Sequence, residues 1–259
     1  MSNHYGLPTR GASVEMAMRD MWSPGEIPAA EPLWRYFKTE RFLESLARGE
    51  LYFPAARQFE DKFEGAVAVE RHDSPLEQRD HELCDVDSAF EELRRLTKVS
   101  CWHRADFESD AMWKIYAEER KGLAIRTTAE RLKAGLRPFR LAPNYGEEIP
   151  YWGLVRYVDL FADRLRVGAE ARFFYKHRAF EWERELRVIF SVRMAEEFAV
   201  PVPELGINVA FDAPTLIESI YLGPHLHAVD RHRILDACEA AGVGRSVVTS
   251  SLLGRPRYH

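Results

Sequence analysis

From Phe180 to Phe190 the chain reads FEWERELRVIF, and its charged and apolar residues alternate. Alternation of period two predicts a β-strand, whose successive side chains project to opposite faces and whose residues two apart stand roughly 6–7 Å from each other on one face. On that reading Glu183, Glu185 and Arg187 share one face, Trp182, Leu186, Val188 and Phe190 share the other, and Arg184 is the misfit. The apolar row sits on a core and the charged row faces a cleft or solvent. The same pattern also describes a solvated strand face carrying an ion pair.

The rest of the chain reads as interspersed strands and helices. LWRYF (Leu33 to Phe37) predicts an aromatic strand, followed by a helix with Thr39 as N-cap, a stripe of Phe42, Leu43 and Leu46, and Gly49 as its stop. Leu51 to Phe53 predicts a second strand, and RQFEDKFEG a loop. Residues 73–97 carry Leu83, Val86, Phe90, Leu93 and Leu96 at helical spacing, KVSCWH (Lys98 to His103) reads as a strand, and the stretch to Glu119 as a helix holding Met112, Trp113 and Tyr116. Beyond Gly122 the pattern predicts strand LAIRT, a short helix, strand LVRYVDL, a helix over 162–178, strand SIYLG, a helix from Asp230 as N-cap to Ala241 with Gly242 as stop, and strand RSVVTSSLL. Without the regular alternation of a doubly wound fold, this order predicts an α+β domain over 32–259, a mixed sheet with helices packed on it. Residues 1–31 lack periodicity and read as an N-terminal extension, disordered in part or strapped over the domain.

Bulk properties narrow the classes. With 259 residues, 46% of them hydrophobic, the chain can bury a substantial core. A net charge of −5 supplies no global field for nucleic acid or an anionic membrane. Cys84, Cys101 and Cys238 have neither disulfide-framework nor zinc spacing, and no apolar run approaches membrane-spanning length, so the expectation is a cytoplasmic protein. Phosphate-binding loops, the nucleophile elbow and metalloprotease helix motifs are absent, and AAGVGRS follows a helix where a phosphate loop would follow a strand. A metal at His225, His227 and His232 would need side chains from a loop and a helix start to converge.

Four other residues carry candidate chemistry. Arg35 alternates with Trp34 and Tyr36, so it faces away from both, either exposed or gripping a phosphate or carboxylate. Ser100 faces away from Val99 and Cys101. Trp113 and Tyr116 are either core or rings that stack on a base.

In combination, LWRYF, ELYFP, QFEDKFEG, VSCWH, AMWKIYAEERKGLAI, FEWERELRV and SIYLG resemble a large bacterial and phage family of unknown function over residues 33–252. That family shows Leu-Tyr-Lys-Tyr, Phe-Asn-Asp-Pro-Phe-Glu, Cys-Phe-Ser, Met-Trp-x-x-Tyr-Ala and Glu-x-Glu-x-Arg. This chain has Glu60 for the Asn, Lys62 for the Pro and His103 for the Ser, and retains Phe59, Asp61, Phe63 and Glu64. More distantly, an Arg on the first strand, a Ser on a middle strand and Glu-x-Glu on a late strand resemble the mono-ADP-ribosyltransferases. The resemblance implies NAD as substrate, with Arg35 on a phosphate, Ser100 bracing the site, Glu185 on the ribose, Glu183 orienting or deprotonating the acceptor, and Trp113 or Tyr116 stacking on a base. Arg187 would keep Glu185 ionised. The acceptor would be a protein or nucleic acid, and the role that of a toxin or phage-defence effector.

Two alternatives stand beside it: a metal-dependent nuclease-type effector using Glu183, Glu185 and Asp61, and a non-catalytic binding module. As a cleft carboxylate, Glu185 is expected to tolerate Gln with little loss of stability.

Overall fold

The computed structural model describes residues 16–23, 25–66, 81–163 and 165–253. Its centre is a mixed eight-stranded sheet accompanied by helices, the α+β architecture expected. In chain order its strands are β1 (Arg19–Asp20), β2 (Pro32–Phe37), β4 (Thr97–Arg104), β5 (Leu123–Thr128), β6 (Tyr151–Leu154), β9 (Glu185–Ser191), β11 (Ser219–Leu222) and β12 (Val247–Thr249). Across the sheet the order is β1-β6-β9-β4-β2-β5-β11-β12. Two smaller pairs complete the strands: β3 (Glu50–Pro54) with β10 (Gly206–Ala210), antiparallel, and β7 (Arg156–Val158) with β8 (Tyr175–His177), parallel. The main helices are α1 (Thr39–Arg48), α2 (His81–Leu96), α3 (Asp110–Tyr116), α4 (Ala129–Gly135) and, after the short α5 (Arg193–Glu197) and α6 (Ala213–Leu216), α7 (Ala228–Ala240). Among the described residues no helix is long and apolar enough to cross a membrane.

Register decides which side chains share a face. The pairs Trp34 with His103, His103 with Glu185 and Cys101 with Arg187 put those residues on one face. Leu33, Arg35, Phe37, Ser100, Trp102, Leu186, Val188 and Phe190 therefore lie on the other. That second face carries the main core, where Leu186, Val188 and Phe190 pack with Trp102, Phe53 and the α1 residues Phe42 and Leu46. The first face holds two smaller apolar clusters, one of Trp34, Tyr36, Met112 and Trp113, the other of Val99, Phe173, Phe174 and Ile189. Between them lie charged residues.

The sheet is continuous by pairing but splits in the middle. Strands β2 and β4 pair only at Leu33 with Arg104 and Trp34 with His103. Beyond that point β4 approaches β3, bridging through Ala55 and Lys98. Arg35 spans the opening, its Nη1 donating to Ser100 Oγ at 2.8 Å and its Nη2 to the Tyr52 carbonyl at 2.8 Å.

Several local expectations are corrected. The strand from Phe180 begins only at Glu185; Arg178–Glu183 is a 3-10 turn and Arg184 is left-handed at φ 44°. Trp182 consequently leaves the apolar row and is 41% exposed. No helix spans 162–178: Phe173, Phe174, Tyr175 and Lys176 are buried in succession, which a one-faced helix cannot achieve, and they form a 3-10 turn and β8 instead. Lys38, without a side-chain bond, takes the cap position expected of Thr39, which is buried as the first helical residue. Helix α7 begins before Asp230, and β12 is shorter than RSVVTSSLL. Strand β10 was not anticipated. Residues 19–20 of the expected extension pair in parallel with Tyr151 and Trp152 at the sheet edge. Residues 1–15 and the part of the expected 73–97 helix before His81 lie outside the described residues.

Leu186 is fully buried between β4 and β6, so Leu186→Ala is expected to cost about 2–5 kcal/mol by urea denaturation. Val86, 66% exposed on α2, is the control, and its Ala variant should stay within about 0.5 kcal/mol of the parent.

Candidate functional site

Between the two small apolar clusters, the charged face of β9 builds a buried network around Arg187. All five guanidinium N–H groups are donated. Nε and Nη2 reach Glu185 at 2.8 and 3.1 Å, Nη1 and Nη2 form a forked pair with Glu64, and Nη1 also reaches the Phe173 carbonyl at 2.6 Å. Lys176, from β8, donates to Glu185 at 3.0 Å and to Glu183 through a close contact. Its ammonium lies 4.6 Å from the Phe180 ring centre. Tyr116, the last residue of α3, donates its hydroxyl to Glu183 Oε1 at 2.9 Å. His103 Nδ1 lies 2.6 Å from the Glu183 carbonyl, and the Tyr157 hydroxyl accepts from the Glu185 N–H at 2.9 Å.

Three carboxylates, Glu64, Glu183 and Glu185, meet two cations, Lys176 and Arg187, so one proton would balance the set. Glu183 is the carboxyl that exchanges it near neutral pH. Burial and the hydrogen bond and charge of Glu185 push its pKa up to about 7. For Glu185 burial opposes ionisation, yet Arg187 and Lys176 outweigh it and hold the carboxyl well below its ordinary range. Lys176 stays charged for the matching reason, the two glutamates outweighing its desolvation. Burial and neighbouring Glu185 push the Cys101 thiol up, and burial lowers His103. Two carboxyls two residues apart thus differ in their hold on a proton, Glu185 staying ionised while Glu183 exchanges its proton near neutral pH, a division of labour that acid–base chemistry uses.

The sequence-predicted residues fall into two groups. Arg35 and Ser100 meet each other on the core-bearing face, while Glu183, Glu185 and Arg187 lie with Tyr116 on the opposite one. The expected convergence of Arg35, Ser100 and Glu185 on one hollow is therefore corrected. Ser100 Oγ is occupied by Arg35 and by Trp102 Nε1 at 3.0 Å. Trp113 is fully buried with Nε1 donating to Glu108, so no base can stack on it. Nor does the charged row face solvent: Glu183 and Glu185 are each 5% exposed. Glu64, Lys176, Cys101 and Tyr157 were not assigned to the site. Glu64 has a signal, the retained Phe-Glu of QFEDKFEG, whereas Lys176 stands in a segment whose pattern predicts a helix but which forms a strand. Among the described residues no three His, Cys, Asp or Glu are grouped to hold a metal, and the two glutamates of the nuclease reading are occupied by cations.

The two groups meet at the split. A cavity of about 440 Å³ is lined by Arg35, Tyr36, Lys38, Arg41 and Arg48 on the β2 and α1 side, with Tyr52 of β3. Tyr116 lines it too, and is the residue through which it borders Glu183. Arg41 and Arg48 are partly neutralised by Glu44, at 3.4 and 3.0 Å. Glu44 and Glu50 also line the cavity, so it offers an anion four cations against two carboxylates, one hydrogen bond from the buried glutamates.

Two outcomes test this electrostatic account. Arg187→Met strands Glu64 and Glu185 in the interior and is expected to cost about 3–5 kcal/mol in denaturant unfolding; Glu185→Gln, facing two cations, should also destabilise, reversing the neutrality expected of a cleft carboxylate. Glu183 binds its proton more tightly folded than unfolded, so its linkage makes stability fall as pH rises from its ordinary 4.5 to about 7 and level off above. Glu183→Gln removes that fall, and its stability relative to the parent should rise between about pH 5 and 8 by on the order of 1–3 kcal/mol.

Comparison with known proteins finds no matching family model, no matching curated protein and no matching solved structure.

Proposed function

We propose that the chain is an NAD-dependent transferase of the mono-ADP-ribosyltransferase type. The observation that carries this reading is the pairing of a cavity rich in cations with a buried glutamate pair of unequal proton affinity, joined through Tyr116. The cavity volume suits part of a dinucleotide, with its pyrophosphate against Arg35, Lys38 and Arg41. In the reaction the ribose C1′–nitrogen bond of NAD breaks, nicotinamide leaves with the bonding pair, and an oxocarbenium-like ribose develops. Glu185, held ionised, stabilises that cation. Glu183, titrating near neutrality, takes the proton of the acceptor as the acceptor bonds to C1′. Arg187 holds Glu185 in place, Ser100 holds Arg35, and Tyr116, half-exposed at the cavity, is the ring available to a base. A nucleophile from a protein or nucleic acid completes the transfer, or water completes hydrolysis.

Purified protein incubated with NAD and cell lysate is expected to release nicotinamide. Glu183→Gln should lower release on the order of 10²-fold or more while thermal unfolding remains cooperative. Loss of release in Arg35→Ala with the fold intact would place phosphate recognition at the split. Failure of the folded parent to bind or turn over NAD overturns the reading.

A further inference from the structure

We infer that Tyr116 partitions the cavity from the Glu183–Glu185 pair and admits a cavity-bound substrate to those carboxylates when its ring swings out. The residue is placed for both tasks. Its ring lines the cavity and its hydroxyl is bonded to Glu183 Oε1, while both glutamates are shut from solvent. The inner residues of α3, Met112 and Trp113, are locked in an apolar cluster with Ala117; Tyr116 lies outside that cluster and is 41% exposed. Its departure therefore breaks one hydrogen bond and leaves the packing of α3 intact.

The chain after Tyr116 is set for such a movement. Glu118, Glu119 and Arg120 occupy left-handed backbone in succession, at φ 48°, 55° and 74°, none of them glycine. This strained turn is held closed by Arg120 pairing with Asp110 at 2.5 Å and by the Arg120 N–H reaching the Trp113 carbonyl at 3.0 Å. The His225 N–H, reaching the Arg120 carbonyl at 2.9 Å, anchors the far end of the turn, and in the proposed open state the strained residues between these anchors relax, making it a minor conformer in equilibrium with the closed one.

The substrate's identity rests on the NAD reading, but the partition does not, and carboxyl footprinting separates them. Carbodiimide with glycine ethyl ester, read by mass spectrometry, reports Glu183 and Glu185 against exposed Glu181 as internal reference. If the open conformer is populated at about 1–10%, Tyr116→Ala should raise Glu183 labelling relative to Glu181 about 10–100-fold. Tyr116→Phe, which keeps the ring and loses the donor, should raise it less and move the pH midpoint of labelling upward, a shift that packing alone would not produce. Glu119→Gly relaxes the closed turn and should slow labelling. With native circular dichroism, a Tyr116→Ala ratio matching the parent's overturns the partition, and labelling indifferent to Glu119→Gly overturns the hinge. Labelling that behaves as expected in a protein that ignores NAD would retain the partition and refute the transferase.

Discussion

A single buried guanidinium organises the chemistry-bearing face of this protein. Taking Arg187 out of water is tolerable only because every N–H finds an acceptor, from three separate stretches of chain: Glu64 in the loop after β3, the Phe173 carbonyl and Glu185 at the head of β9. The cost of leaving any of these unpaired fixes the loop and the 3-10 turn against the strand. Lysine could not substitute, since an ammonium cannot grip two carboxylates in parallel.

The network divides the first face of the sheet, the one opposite the main core, into two apolar clusters with a polar seam between them. Burial raises the stakes of every charge in that seam. Because carboxylates outnumber cations there, the position of one proton becomes a property of the fold, and Glu183, farthest along the chain of contacts from Arg187, is where it is exchanged. Glu185, between Lys176 and Arg187, is the member that cannot take it. A charge held this firmly serves a cation-stabilising role well, because the surrounding dipoles need no rearrangement as positive charge develops. The same firmness makes Glu185 a structural member, so function and stability are coupled at one side chain.

The split between β2 and β4 does for the cavity what Arg187 does for the seam. Two strands that continued in register would exclude any ligand. By parting after two residue pairs they leave an opening that Arg35 crosses to β3 and β4. The cavity is thus a consequence of topology, and its positive wall follows from the cationic residues that begin and line α1.

The sequence by itself determined the elements with strong local periodicity: the aromatic β2, α1 ending at Gly49, β4, β5 and the apolar row Leu186, Val188 and Phe190. It also determined that Glu185 and Arg187 share a face, because alternation on a strand is local. Only the tertiary structure decided which face that would be and what covers it. Phe173 to Lys176 are buried by neighbours from elsewhere in the chain, so no local pattern announced their extended form, and Lys176 could not be read as a partner of the glutamates. Whether Arg35 and Ser100 stood beside Glu185 depended on register across two ladders. A shift of one residue in that register reverses every side chain, which is why the sequence named the residues and the fold alone assigned them to opposite faces.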